Sequence, residues 1–198
     1  MSHSDKPLEI DIQPISRHLD LGSFDCGASA LNDYLRKYAR QNHDRNISKT
    51  FVAMEKGGAG SRLEPAQPGR VSRHETSAQG DRKVLGFYTL VASEIDAKTI
   101  PTTHSKNLPR YPVPAVRIGR LAVDKHHQGQ GIGEDLLWDA LDKANRLSEE
   151  VGIYAVVVDA KDEKAVQFYH KYGFVPLSNN PKTLFLPVET VKVLFTKK

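Results

Sequence analysis

The sequence predicts an α/β domain, a mixed β-sheet flanked by helices, and three observations carry that reading. An apolar, β-rich segment at 115–123 runs into a glycine loop, Gln128-Gly129-Gln130-Gly131-Ile132-Gly133. An amphipathic helix follows at once, with Ile132, Leu136, Leu137, Ala140, Leu141, Ala144 and Leu147 repeating at three and four. Beyond it, the continuous apolar run 153–158 has the pattern of a central parallel strand. Strand, helix and strand joined by loops make a right-handed βαβ unit.

The other elements follow in chain order. Residues 8–12 alternate apolar and polar, as a half-buried strand does. Over 30–41, Leu31, Tyr34, Leu35, Tyr38 and Ala39 share one helical stripe, with Arg36, Lys37 and Arg40 outside it. Segments 50–54 and 84–92 read as strands, Gly86 marking a bulge or a close approach. Between them, 55–83 is polar and poor in large apolar residues, so it reads as a mobile insertion within one sheet. Four prolines in 100–114 predict an extended loop, and Gly119 a bulge in the strand after it. Asp162 is a good N-cap for a second short helix that Gly173 ends, and 183–188 reads as the closing strand.

Composition narrows the class. At 198 residues the chain suits a single domain, 1–198, with a sizeable core. Its 39% apolar and 26% charged residues read as soluble and globular, and no apolar run approaches the roughly 18 residues of a membrane span. The polar start, 1–9, lacks the apolar core of a secretory signal. The single cysteine, Cys26, excludes an internal disulfide and suits a reducing cytoplasm. It reads as a small residue near a helix start, with nothing beside it in sequence to activate the thiol. The eight histidines show no ligand spacing, and His126 and His127 sit in a polar turn, so no metal is expected. A net charge of +4 suits an anionic partner.

The glycine loop points unpaired N–H groups and a positive dipole end at one spot, which suits a phosphate. Its spacing excludes two classes of loop. A dinucleotide fingerprint counted from Gly129 would need glycine where Glu134 stands, and no Gly-Lys-Ser/Thr follows for a nucleotide P-loop. What remains is QxxGxG, on Gln128, Gly131 and Gly133, which resembles the acyl-CoA pyrophosphate loop of the GNAT N-acetyltransferases. A second stretch, Ala165-Val166-Gln167-Phe168-Tyr169-His170-Lys171-Tyr172-Gly173-Phe174, resembles the AxxFYxxxGF signature of that family and stands in the same order.

That resemblance implies a GNAT fold whose central strands splay to admit the pantetheine of acetyl-CoA as an extra strand. It implies that Leu121 and Val123 bond the pantetheine amides, and that Gln128, Gly129, Gln130, Gly131, Ile132 and Gly133 face the pyrophosphate. Ala122, Asp162 and Phe168 complete the implied cofactor set, Phe168 also packing its helix on the sheet. Tyr169 matches the tyrosine that in many members protonates the CoA thiolate, and an ordinary phenol, with pKa about 10, is protonated at neutral pH. A strand N–H near Val123 would polarise the thioester carbonyl.

No carboxylate is clearly placed as a general base, Asp159 and Glu94 reading equally well as solvated strand-end residues. An α-amino acceptor, with pKa about 7.7–8.0, needs little help, whereas lysine at about 10.4 does.

Further stretches resemble one branch, the tRNA-acetylating toxins of toxin–antitoxin pairs (TacT-like). They are Phe24-Asp25-Cys26-Gly27, Ala30 to Leu35, Ala39-Arg40-Gln41-Asn42, Gly119 to Asp124, Ala160-Lys161-Asp162-Glu163 and Thr183 to Pro187. The insertion at 55–83 is longer than usual there. The resemblance implies acetylation of the α-amino group of aminoacyl-tRNA, which blocks translation. It also implies a homodimer, a ribbon-helix-helix antitoxin and a cytoplasmic site of action. A cationic face is then required, for which Arg36, Lys37, Arg40, Arg45, Lys49, Arg110, Arg117 and Arg120 are the candidates. A GNAT enzyme acting on a small amine or protein N-terminus, and a CoA- or RNA-binding module without activity, are the alternatives.

Overall fold

A computed structural model describes residues 8–56, 82–106 and 108–196. Most of the 55–83 insertion therefore lies outside the described residues. Four strands, β1 (Ile10–Pro14), β2 (Lys49–Glu55), β3 (Val84–Ile95) and β4 (Val113–Val123), pair antiparallel in sequence order. β5 (Ala155–Asp159) joins β4 in parallel, followed across the sheet by β7 (Asn180–Pro187) and then β6 (Val175–Leu177), both antiparallel. The mixed sheet expected from the sequence is thus present.

Helices cover both faces. α1 (Ser29–Asp33) runs through a π-turn at Tyr34–Tyr38 into α2 (Ala39–Asp44). A short α3 (Thr102–Ser105) lies before β4, α4 (Ile132–Glu150) links β4 to β5, α5 (Glu163–Lys171) follows β5, and α6 (Val188–Thr196) follows β7. On one face α4 buries Leu136, Leu137, Ala140, Leu141 and Ala144 against Val116, Ile118, Val156, Val158 and Leu186. On the other, Tyr34, Leu35 and Ala39 pack over Val52, Met54 and Phe87, while Ile95 and Ile100 pack with Ala155, Val157 and Phe185.

Three expectations need correction. The loop at 100–114 contains α3, because Pro101 sits at its N-cap, where proline costs nothing. The closing strand ends at Pro187, and Val188 opens a helix that buries Val188 and Val191, a spacing of three that a strand reading hides. β6 was not foreseen, since three residues are too few to show a period.

Two glycines shape the sheet beside the loop. Thr89 pairs with Arg120 and Leu90 with Ile118, so Gly119 is the extra residue of a bulge, as expected. A Cβ on Gly86 would lie 2.8 Å from Leu136 Cδ1 and 3.0 Å from the Ala122 carbonyl, so this is a close approach of strand to helix.

Most consequential is a fork. β4 and β5 pair only from Ala115↔Ala155 to Ile118↔Val158, yet β4 runs on to Val123. Beyond β5, the Ala160 N–H donates to the Lys182 carbonyl at 2.8 Å, which draws the chain toward β7 and away from β4. The backbone of residues 119–123 is left without a strand on that side.

Candidate active site

The loop after β4 is held from below by one carboxylate. Asp124, 1% exposed, accepts from the Asp25 N–H at 3.1 Å and the His126 N–H at 3.0 Å, and lies 3.3 Å from His127 Nδ1. Burial alone would raise its pKa, but the hydrogen bonds from Asp25, His126 and His127 together hold it below the ordinary carboxylate range. His127 is therefore paired rather than free in its turn.

Asp25 anchors the second layer. Its carboxylate accepts from the Gly27 N–H at 2.9 Å and from Asn32 Nδ2 at 2.7 Å, and pairs with Lys125 at 2.8 Å. Lys125, Gly27 and Asn32 pull its pKa well below the usual range. Asn32 in turn accepts from the Cys26 N–H at 3.0 Å and lies 3.2 Å from its Sγ. The start of α1 is thereby clasped to the loop after β4.

Within that clasp the loop presents bare donors. Among the described residues, the N–H groups of Gln128 through Gly133 have no intramolecular acceptor. Gly131 caps α4 at φ +87°, a conformation that L side chains resist, and no atom would meet a Cβ there within 4 Å. Its restriction is conformational, plus whatever ligand lies against the loop. Gln128 departs from expectation in its side chain, which donates to the carbonyls of Cys26 at 3.3 Å and Val123 at 3.1 Å. It ties the fork to the clasp, and only its backbone N–H is free for a phosphate.

A cavity of about 290 Å³ opens beside the fork. Leu121, Ala122, Val123 and Gln128 line one side, and Asp162, Ala165, Phe168 and Tyr169 the other. Cys26, Ala28, Leu31, Lys161 and Lys164 complete it, and sequence reasoning named none of these five as site residues. The lysines lie on or beside the first turn of α5, which a sequence cannot place against α1. Asp162 caps α5 as expected, accepting from the Ala165 N–H at 2.8 Å. Phe168 both packs and lines, meeting Tyr169 and Tyr172 edge-on with centroids 5.1 and 5.2 Å away.

Tyr169 is the chemical group in this cavity. Burial pushes its pKa up to about 12, and its hydroxyl makes no hydrogen bond to the described residues. A phenol in that state is a proton donor waiting for an acceptor.

The fit of acetyl-CoA follows from these features. Six free N–H groups at a helix start suit a pyrophosphate, and a strand edge lacking its neighbour suits the amide-bearing pantetheine. The partnerless Tyr169 hydroxyl suits the sulfur end.

The basic candidates separate into groups. Arg36, Lys37, Arg40, Arg45 and Lys49 lie along the π-turn, α2 and the start of β2, with Arg36 donating to the Phe24 carbonyl and Lys37 paired with Asp33. Arg110 is exposed before β4. Arg120 lies 3.6 Å over the Tyr34 ring, and Arg117 is paired with Asp159. Five of the eight thus follow one another along the chain from the π-turn to β2, Arg120 stacks on Tyr34 of the same π-turn, and Arg117 is already neutralised by its partner.

Comparison with known proteins agrees with this geometry. The description "Acetyltransferase (GNAT) domain" matches residues 78–184. A tRNA-acetylating toxin of Mycobacterium tuberculosis is 30% identical over 88% of this chain and 90% of its own. AtaT complexed with acetyl-methionyl-tRNAfMet superposes with a TM-score of 0.78 at 30% identity, over 94% of this chain and 99% of that one. A tyrosine-to-phenylalanine mutant of KacT gives a TM-score of 0.78 at 31% identity with the same coverage. Other solved relatives include AtaTR bound with AcCoA, and AtaT bound to the C-terminus of the antitoxin AtaR. With the forked sheet, the bare-donor loop and this match over half its length, the chain belongs to the GNAT acetyltransferases and is an acetyl-CoA-dependent N-acetyltransferase.

Proposed function

We propose that this enzyme is the toxin of a toxin–antitoxin pair and acetylates the α-amino group of aminoacyl-tRNA. The observation that carries the reading is its likeness, over nearly the whole of both chains, to AtaT carrying acetyl-methionyl-tRNA. Blocking the α-amino group removes the nucleophile of peptide-bond formation, so translation stops. A cytoplasmic site of action follows from that substrate. The partner is a ribbon-helix-helix antitoxin and the toxin is a homodimer, with the whole of 1–198 as one domain and no metal in the reaction.

The chain's own residues divide the work. The N–H groups of Gln128 to Gly133 hold the pyrophosphate, and the free edge at Leu121, Ala122 and Val123 holds the pantetheine. Acetyl-CoA, when bound, supplies the thioester. A strand N–H near Val123 would polarise its carbonyl, the neutral amine would attack as the C–S bond breaks, the Tyr169 hydroxyl would give its proton to the departing thiolate, and the proton shed by the acetylated nitrogen would restore the phenol. Asp162 and Phe168 hold α5 so that the hydroxyl stays aimed into the cavity.

Incubation with acetyl-CoA and purified charged tRNAs, read by mass spectrometry, tests this. Addition of about 42 Da, the mass fixed by acetyl chemistry, is expected on the esterified amino acid. Unmodified tRNA beside an acetylated polyamine or peptide would overturn the toxin reading and leave the acetyltransferase.

A further inference from the structure

The fork has one closed side and one open side. On the α4 side Ile118, Val158 and Tyr169 belong to one apolar cluster. On the opposite face, Arg117 and Asp159 follow two residues after Ala115 and Val157, which bury in the cluster before β4, so all four side chains point the same way. Arg117 reaches across three strands, its Nε donating to Ser93 Oγ on β3 at 3.3 Å and its Nη1 to Asp159 Oδ2 on β5. Thr183 on β7 donates to the other oxygen, Oδ1, at 2.8 Å, and Asn180 Nδ2 donates to Thr183 at 3.0 Å. Each carboxylate oxygen has one protein donor, and the side chain remains 59% exposed. Further acceptor capacity faces solvent at the last residue of β5.

We propose that Asp159 docks the α-amino group of the incoming acceptor as its ammonium ion, which then loses one proton to solvent before the neutral amine attacks. Asp159 ends β5 where the fork opens, one residue past the last β4–β5 pair, Ile118↔Val158, and its side chain stands on the face opposite α4. Arg117 and Thr183 fix the orientation of that carboxylate, so an ammonium with three donors docks on a prearranged pair of oxygens. A hydroxyl in the same place would offer one neutral donor. Asp159 reads the charge of the acceptor and takes no part in bond making, and Arg117 is its positioning partner. The inference deepens the aminoacyl-tRNA reading and rests on it.

The test compares binding, without acetyl-CoA, of an aminoacyl-tRNA and the matching α-hydroxyacyl-tRNA, which differ only in the group at the α-carbon. The wild-type protein is expected to prefer the amino form by about tenfold or more, the scale of one charge-assisted hydrogen bond. Asp159→Asn should bring the two within about threefold by weakening only the amino form, with KM for acetyl-CoA unchanged; the lost factor is that same bond. Thr183→Val, which removes one anchor and leaves the charge, should give an intermediate preference and guards against a folding defect in the first variant. A wild-type preference retained in Asp159→Asn, or equal weakening of both tRNAs, overturns the proposal. Wild-type protein that binds neither tRNA and acetylates only polyamines overturns it together with the aminoacyl-tRNA reading, which separates the two failures.

Discussion

If Tyr169 is the general acid proposed above, a single oxygen carries the chemistry and almost none of the stability. Its hydroxyl has no hydrogen bond to the described residues, while its ring packs against Phe168 and Phe174. Tyr169→Phe should therefore leave thermal stability and acetyl-CoA affinity unchanged and lower kcat by about 10²- to 10⁴-fold, the usual contribution of a general acid. Because its pKa is pushed up to about 12, the proton stays in place across the working range. kcat/KM should rise with pH as the acceptor amine loses its proton near about 7.7–8.0. Stopped assays from pH 6 to 10 should then show a plateau with no alkaline fall. Asp124 makes the opposite kind of contribution. Its pKa is lowered, so its stabilisation is present above the ordinary carboxylate range and is lost as pH falls into and below it. Asp124→Asn turns a donor toward donors, and urea unfolding should show a loss of about 1–3 kcal/mol, the cost of unsatisfied buried groups. The variant's stability should also vary less between pH 3 and 6. Neither role was visible in the residue alone: Asp124 is one carboxylate among 24 acidic residues until the fold buries it.

The loop and α4 were legible because their signals are local. Glycine spacing, an amphipathic period and an N-cap all act within a few residues, and the observed helix, Ile132–Glu150, follows the expected one closely. α5, with Asp162 as its cap and Gly173 beyond its end, was legible for the same reason. The clasp was not, since Asp25, Asn32 and Asp124 are joined across about a hundred residues of chain. Nor was the π-turn, an inserted residue that leaves the apolar stripe nearly intact. Gly131→Ala should cost about 1–2 kcal/mol from the left-handed backbone alone, and more in acetyl-CoA affinity as the donors turn away. Gly133→Ala is the control, because its Cβ would make only an ordinary 3.6 Å contact with Val123. Titration calorimetry with CoA should separate the two by at least about tenfold, one such hydrogen bond.

At the scale of the whole molecule, the proposed tRNA acceptor would be met by charge. If the basic residues around α2 hold tRNA phosphates, replacing Lys37, Arg40 and Arg45 by Glu should weaken tRNA binding. The slope of log affinity against log salt should also fall, by about 0.7–0.9 for each phosphate that is no longer neutralised. Acetylation of a small aminoacyl ester should be unaffected, since it never reaches that face. Charge could be counted in the sequence, but its pairing could not: Arg117 is spent on Asp159 and Arg120 on Tyr34. The fork has a consequence of a different order. A sheet parted in its interior lacks cohesion where β4 outruns β5, and a molecule filling that gap binds the folded chain alone. Acetyl-CoA at a hundred times its dissociation constant would add about 2.7 kcal/mol to the folded state. Bound co-substrate would thereby close the gap in the sheet and make the folded chain harder for a protease to open, an effect that grows with the ratio of acetyl-CoA to its dissociation constant.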